Sequence, residues 1–427
     1  MAEELLIIII ILAIPIVLGF IFRNDYSKLA ISIFIASIIG ALIAGMGIRI
    51  REVVEGPFAY LDSMLAVLTG MIFISALMDN GTIKSILNRI LSRKNNPVIK
   101  ALSLILFVAL PGIMTGTATT CILTTGTLLG AYLLERGIEK TKVIEFISIS
   151  SLIGLILPPI CLPAMVIVLS RSGSYPASFE GYAIPLLVLS IPALIVYSIN
   201  SAKWIKKLSI EDSDSRKKFK ELIPLAVVVL LLICHNFFFK YVPFLGYPLI
   251  FVIGTILANI LPNIKFNGIE SAGKAISIVA PVVAIGFVVG SALEIFSLTG
   301  VSGWLSTIFH TVNPATFTLV SVILLVISGI IFGTPSTFVI AVTISYVIGS
   351  ILYVGNEIIL TAISSALCLG SLLSLRGGLF EKTQIALNID AFEYKALVSK
   401  SIVPAALILL MGIIYSLAYE SLLFLVI

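Results

Sequence analysis

Uncharged apolar stretches of helix length recur from one end of this chain to the other, beginning with Leu5 to Phe22. A hydrocarbon core about 30 Å thick takes about 20 apolar residues in a helix. Lipid offers the backbone no hydrogen-bond partner, so only helices and closed barrels cross it. Barrel strands would alternate apolar and polar residues, and these stretches do not. The expected fold is therefore an all-α polytopic membrane protein. Composition agrees, because only 11% of the 427 residues are charged, against about 25% in soluble domains. So few charges cannot solvate a globule of this size, which excludes a water-soluble enzyme, a secreted module, a nucleic-acid binder and a disordered scaffold.

Simple spans are expected near 5–22, 29–47, 63–79, 183–200, 222–239, 247–262, 275–296 and 401–419. Glu3 and Glu4 precede the first span where a signal peptide would carry basic residues, so 5–22 reads as a retained span. Other apolar stretches are interrupted. Residues 98–134 carry Pro111, Gly112, Gly116 and a threonine cluster, 143–169 carry Gly154 and Pro158-Pro159, and 314–352 carry Gly333 and Pro335. A further span, 357–375, contains Gly370 and several serines. Cys121, Cys161, Cys234 and Cys368 lie far apart in apolar sequence, and His235 and His310 are isolated, so neither a disulfide framework nor a metal cluster is implied.

Positive charge sorts the connections. Segments 23–28, 84–100, 135–142, 203–220, 263–274 and 376–400 are basic, whereas no Lys or Arg occurs between Lys274 and Arg376. By the positive-inside rule the basic set is cytoplasmic. Residues 98–134 then enter and leave on the cytoplasmic side as a re-entrant hairpin. Residues 314–352 form a second hairpin entering from outside. The count is about ten crossings plus two hairpins, with both termini external. The misfit is 49–62, whose Arg49 and Arg51 are only offset by Glu52, Glu55 and Asp62.

The two halves repeat. Ser75-Ala76-Leu77 recurs as Ser291-Ala292-Leu293, Pro97 as Pro314, Gly112-Ile113 as Gly329-Ile330, Gly116-Thr117 as Gly333-Thr334 and Ile149-Ser150-Ser151 as Ile363-Ser364-Ser365, at offsets of 214 to 217. An odd number of crossings in the first half inverts the second. The expected organisation is 1–202 as the first repeat, 203–221 as a cytoplasmic basic linker and 222–427 as the second repeat. Each repeat would hold a re-entrant hairpin and a broken helix, at 143–169 and 357–375. Transporters built from inverted repeats place their solute site between them, near the midplane.

Interrupted backbone is tolerated in a membrane only where protein or a water-filled cavity satisfies it. The candidate substrate and cation residues are therefore Gly112, Thr115, Gly116, Thr117, Thr119 and Thr120 in the first hairpin, with Ser150, Ser151, Gly154, Pro158 and Pro159 in the first broken helix. Their counterparts are Gly333, Thr334, Pro335, Ser336 and Thr337, with Ser364 and Ser365. Hydroxyl and carbonyl oxygens suit a small hard cation, and Na⁺ near Thr117 and Thr334 is the expected coupling ion, with no other cofactor. Helix packing and back-bonding to the helix's own carbonyls are the alternative use of such residues. Asp79, Glu145, Glu294 and Glu357 are the acids near spans, and Asp79 and Glu294 read as interfacial. No Arg or Lys stands out inside a span to hold a carboxylate, so an anionic solute would rest on cations, helix N-termini and hydroxyls.

The run from Asp79-Asn80-Gly81 through Pro111-Gly112-Ile113-Met114-Thr115-Gly116-Thr117 to Gly154-Leu155-Ile156-Leu157-Pro158-Pro159 resembles the large membrane subunit of the TRAP transporters. It is also similar to the wider ion transporter superfamily of dicarboxylate and gluconate carriers. The resemblance implies an elevator-type carrier. Gly112, Thr115, Gly116, Thr117, Gly154, Pro158 and Pro159 would form the first cation and substrate region, and Gly333, Thr334 and Ser336 the second. The chain departs from that pattern at Ile160, where Ser usually follows the prolines, and at Thr119-Thr120-Cys121, where an acid is usual.

The expected function is secondary transport of a small organic anion, coupled to Na⁺ or H⁺, across the cytoplasmic membrane. The alternative is a cation/proton antiporter with no organic substrate. An enzyme is not expected, since no interrupted segment holds a His and no Asp pair is matched at depth. The expected partners are the bilayer and a small solute, and not nucleic acid. A homodimer is compatible with the chain; a solute-binding protein or small membrane subunit would be a separate chain.

Overall fold

A computed structural model of the chain describes residues 26–92, 96–169, 179–206, 219–237, 245–261, 264–301, 312–332, 334–351, 356–375, 377–390 and 393–426, with scattered positions in 6–18 and 303–307. The described residues are helical and contain no named strand. Six helices are long and apolar enough to cross a membrane: Ile50–Asp79, Pro97–Thr115, Ala183–Ile205, Gly268–Leu298, Pro314–Phe332 and Tyr394–Leu417. Shorter apolar helices cover Ser27–Ile43, Ile223–Asn236, Tyr247–Ile260 and Glu357–Leu373. The polytopic helical architecture read from apolar run length is thus the observed one. The span expected at 5–22 lies largely outside the described residues, as do His310 and most of the linker.

Two long helices form one layer. Ile50–Asp79 packs along Gly268–Leu298, and their contacts run in opposite senses. Ser291 Oγ donates to Val53 O at 2.7 Å, and Ser75 Oγ donates to Ser271 O at 3.0 Å. Between these ends Gly56 lies against Gly290, where a Cβ on either would come within 2.5 Å of the other's carbonyl oxygen. Glycine permits that approach and a larger residue would force the helices apart. Ser75 and Ser291 are the repeated serines of the sequence, and each reaches the beginning of the helix that carries the other.

A second layer contains the interrupted segments. Pro97–Thr115 turns at Gly116 and returns through Ala118–Cys121, a π-helical turn over Ile122–Gly126 and Thr127–Glu135. The limbs are tied by Thr125 Oγ1 donating to Val108 O at 2.9 Å and by Gly112 N donating to Cys121 Sγ at 3.0 Å. The stretch 98–134 is therefore a helical hairpin. Lys140–Ile156 follows, then a break over Leu157–Ile160, then Leu162–Leu169, as the paired prolines lead one to expect. In the second half Pro314–Phe332 and Thr334–Ile351 pack against each other.

One expectation needs correction. The broken helix expected over 357–375 is continuous as Asn356–Leu373. It has no proline, and Ser364 and Ser365 donate to the carbonyls of Thr361 and Ala362 three residues back. The chain leaves the helix after Leu373, and Leu375 N bonds Ile330 O at 3.1 Å. A short helix, Leu379–Ala386, follows and packs against Lys140–Ile156. The basic segment 376–400, expected as a plain connection, thus contains a packed helix.

The same glycine contact appears in both halves. A Cβ on Gly112 would stand 2.9 Å from the carbonyl carbon of Gly154, and one on Gly329 would stand 2.6 Å from Gly370 Cα. In each half the first limb of the hairpin thus touches the following helix backbone to backbone. The end of the linker is anchored as well: Glu221 accepts from Ser85 Oγ and lies 3.7 Å from Arg89, fixing the amphipathic helix Thr82–Ser92 to the start of the second half.

Candidate solute site

The tip of the first hairpin is built on Gly116. Its φ of +64° is a left-handed conformation, which costs other L-residues roughly 1–2 kcal/mol. Space also requires glycine, because a Cβ there would lie 2.4 Å from Leu162 N. That nitrogen donates to Gly116 O at 3.2 Å, in a parallel bridge between Gly116 and Cys161. The two interruptions, 42 residues apart in sequence when counted from Gly116 to Pro158, therefore satisfy part of each other's backbone. This is the pairing that interrupted helices need where no water is assured.

Behind the tip the threonines form one network. Thr115 Oγ1 and Thr120 Oγ1 are 2.6 Å apart, Thr117 Oγ1 donates to Thr120 Oγ1 at 3.0 Å, and Thr115 and Thr117 are 3.3 Å apart. Thr115 also donates to Pro111 O at 2.7 Å, a carbonyl near the helix's inner end. All three threonines are buried. Ser150 Oγ and Ser151 Oγ are buried too and have no hydrogen-bond partner among the described residues. Such orphaned hydroxyls cost about 1–3 kcal/mol each.

In front of the tip lies a narrow cavity of about 70 Å³. Gly116, Thr117 and Thr119 line it from the hairpin, Leu162 and Val166 from beyond the break, and Val282, Ile285 and Gly286 from the long helix of the other layer. Phe338 and Ser371 bring the second half to the same space. Lys382, on the short helix Leu379–Ala386, completes it, with Nζ 3.4 Å from Thr119 Oγ1. Among the described residues Lys382 is the one charged side chain lining the cavity. A recess of about 340 Å³ shares Thr119, Val282 and Lys382 with it and continues past Ile278 and Ile385.

Of the residues singled out in the sequence, Gly116, Thr117 and Thr119 meet at the cavity, and Thr115 and Thr120 stand directly behind them. Gly112 and Gly154 hold the hairpin against the broken helix. Pro158 and Pro159 form the break itself. Gly333 lies outside the described residues, as do the side chains of Thr334, Pro335 and Ser336; Thr337 is buried. Ser364 and Ser365 bond to their own helix and are not among the lining residues. Sequence reasoning missed Lys382. It was counted with the loop charges that set topology, and its one sequence-level signal is its place four residues beyond Gly378 on a short helix of mixed polarity.

No family model matches the chain, and no curated protein matches it in sequence. Solved structures do. The YdaH transporter of Alcanivorax borkumensis, reported as having an unusual topology, superposes with a TM-score of 0.63 at 11% identity, over 95% of this chain and 98% of that one. MtrF of Neisseria gonorrhoeae, placed in a class of antimetabolite efflux pumps, superposes with a TM-score of 0.60 at 14% identity, over 95% of this chain and 94% of that one. The fold is shared. Both neighbours are described as transporters, and neither singles out the TRAP large subunit.

Proposed function

We propose that the protein is a secondary active transporter for a small organic anion with an apolar body, coupled to Na⁺ or H⁺ and working in the cytoplasmic membrane by an elevator-type movement. The observation that carries this reading is the cavity itself. Residues of both halves surround it, its walls are largely apolar, and one cationic group stands at its side next to the hairpin hydroxyls. A charge-assisted hydrogen bond from Lys382 to a carboxylate would orient the solute, and Leu162, Ile285 and Phe338 would cover its body. An antiporter without organic substrate would need a titrating carboxylate at the cavity, and among the described residues no acid lines it.

The inverted repeat is supported by the reciprocity of the long helices. Under the sequence offset of 216 that carries Ser75 to Ser291, Val53 corresponds to Ile269, two residues before Ser271. The pair Ser291–Val53 is thus, to within two residues, the image of the pair Ser75–Ser271, as expected of two copies related by a two-fold axis. Gly112–Gly154 and Gly329–Gly370 are a second such set. For Na⁺, the clustered hydroxyls of Thr115, Thr117 and Thr120 are hard oxygen donors of the fitting kind. When bound, the cation would add positive charge behind the tip and favour an anion in front of it.

Purified protein in liposomes tests the reading. Labelled acetate, succinate, hexanoate and phenylacetate would be offered with an inward Na⁺ gradient, with an inward proton gradient and with neither. Accumulation of at least one acid several-fold above the no-gradient level is the expected result. Gradient-driven Na⁺/H⁺ exchange with no uptake of any acid would favour the antiporter instead.

A further inference from the structure

The cavity at the hairpin tip measures about 70 Å³, and the recess beside it about 340 Å³. Thr119, Val282 and Lys382 line both, so the two spaces meet at a neck formed by these three residues. Past the neck the walls are apolar. Ile122 and Leu123 come from the returning limb of the hairpin, Ile278 from the long helix, and Ile385 and Ala386 from the short one. The short helix is tied down beside Lys382. Ser148 Oγ and Thr383 Oγ1 lie 2.9 Å apart, Ser148 also lies 3.3 Å from Leu379 O, and both hydroxyls are buried. Among the described residues, Lys382 is the one charged side chain lining the recess.

We infer that the solute is a medium-chain monocarboxylate, its carboxylate held at Lys382 and Thr119 and its hydrocarbon tail laid in the recess. This rests on the carrier reading above and narrows its solute. Size separates the two ends. An apolar cavity of about 150 Å³ holds a benzene ring. The tip cavity is too small for such a body, and it suits a carboxylate with its first carbons, under Leu162 and Ile285. On the same scale the recess takes a tail of about eight to ten carbons. Charge sets the direction. Lys382 Nζ lies 3.4 Å from Thr119 Oγ1, and the threonine keeps its own proton to donate. A carboxylate at the neck therefore accepts from a cation and a hydroxyl together. A second carboxylate at the far end would meet only apolar side chains, and burying an unpaired ion there is costly. The site thus selects against dicarboxylates, and hexanoate should outcompete succinate.

Calorimetric titration of the purified full chain in lipid nanodiscs, with the heats of empty nanodiscs subtracted, reads the tail directly. Butyrate, hexanoate, octanoate and succinate are the probes. Each buried methylene tightens binding about three- to fourfold, so octanoate should bind about 100-fold more tightly than butyrate. Succinate should bind no more tightly than butyrate. Ala386→Phe and Ile278→Trp fill the recess from two separate helices. Each should shrink the octanoate-to-butyrate ratio to below about tenfold, since fewer methylenes find room. A ratio is read within one variant, so a lower fraction of folded protein does not imitate the effect. Equal binding of butyrate and octanoate in wild type would overturn the inference while the carrier reading stands. So would succinate binding as tightly as octanoate, or an unchanged ratio in both recess variants. Octanoate binding that survives Lys382→Met undiminished would mean a lipid-like occupant that ignores charge, and would overturn it as well. Binding by none of the acids would overturn the carrier reading with it.

Discussion

Gly116→Ala should abolish gradient-driven uptake and lower the unfolding free energy by about 1.5–3.5 kcal/mol. Two costs add. The left-handed conformation at +64° costs an alanine roughly 1–2 kcal/mol. The new methyl would also stand 2.4 Å from Leu162 N, which is backbone and cannot swing aside. Relief requires the tip to part from the break, losing the Gly116–Leu162 hydrogen bond, worth about 0.5–1.5 kcal/mol. Gly137→Ala separates the two costs. Its φ of +74° is similar, but nothing lies within 4 Å of a Cβ there. It should show only the conformational cost and keep uptake. Denaturant unfolding and uptake, measured side by side, check this. Equal loss in the two variants would mean that contact at the tip is irrelevant.

Lys382→Met should weaken binding of a transported acid by about 10- to 100-fold, the loss of a charge-assisted hydrogen bond of about 1.5–3 kcal/mol. Methionine keeps most of the side chain's apolar length, so the packing of Leu379–Ala386 on Lys140–Ile156 should survive. Calorimetric titration with whichever acid of the uptake panel binds reads the change, and the matching neutral amide is the control. Amide binding should be nearly the same in wild type and variant. A variant that binds acid as well as wild type does would remove Lys382 from the solute site. Equal weakening for acid and amide would show that it shapes the cavity and does not read charge.

The legible part of this protein was the part governed by the bilayer. Run length and the absence of alternation identified the helical polytopic fold, because lipid leaves the backbone few choices. Breaks at Gly116 and Pro158 were legible for the same reason, since glycine and proline are where a helix can stop. Ser364 and Ser365 show the limit. Their repetition of Ser150 and Ser151 suggested a second broken helix, but without proline the hydroxyls bond back to their own helix and Asn356–Leu373 runs on. Lys382 shows another. A charge in a loop-rich segment looks the same in sequence whether it faces solvent or a cavity, and only the packing of Leu379–Ala386 beside the hairpin distinguishes them.

Cysteine labelling from each side of the membrane tests most directly whether two inverted copies enclose the cavity. Lys140 and Val354 occupy corresponding places after the two hairpins. Lys140→Cys and Val354→Cys would be made in a chain whose native cysteines are replaced by alanine and whose uptake is retained. A membrane-impermeant maleimide applied to intact cells should label the cysteine at 354 and spare the one at 140, and inside-out vesicles should give the reverse. Labelling of both positions from the same side would contradict the inverted arrangement and, with it, the carrier built upon it.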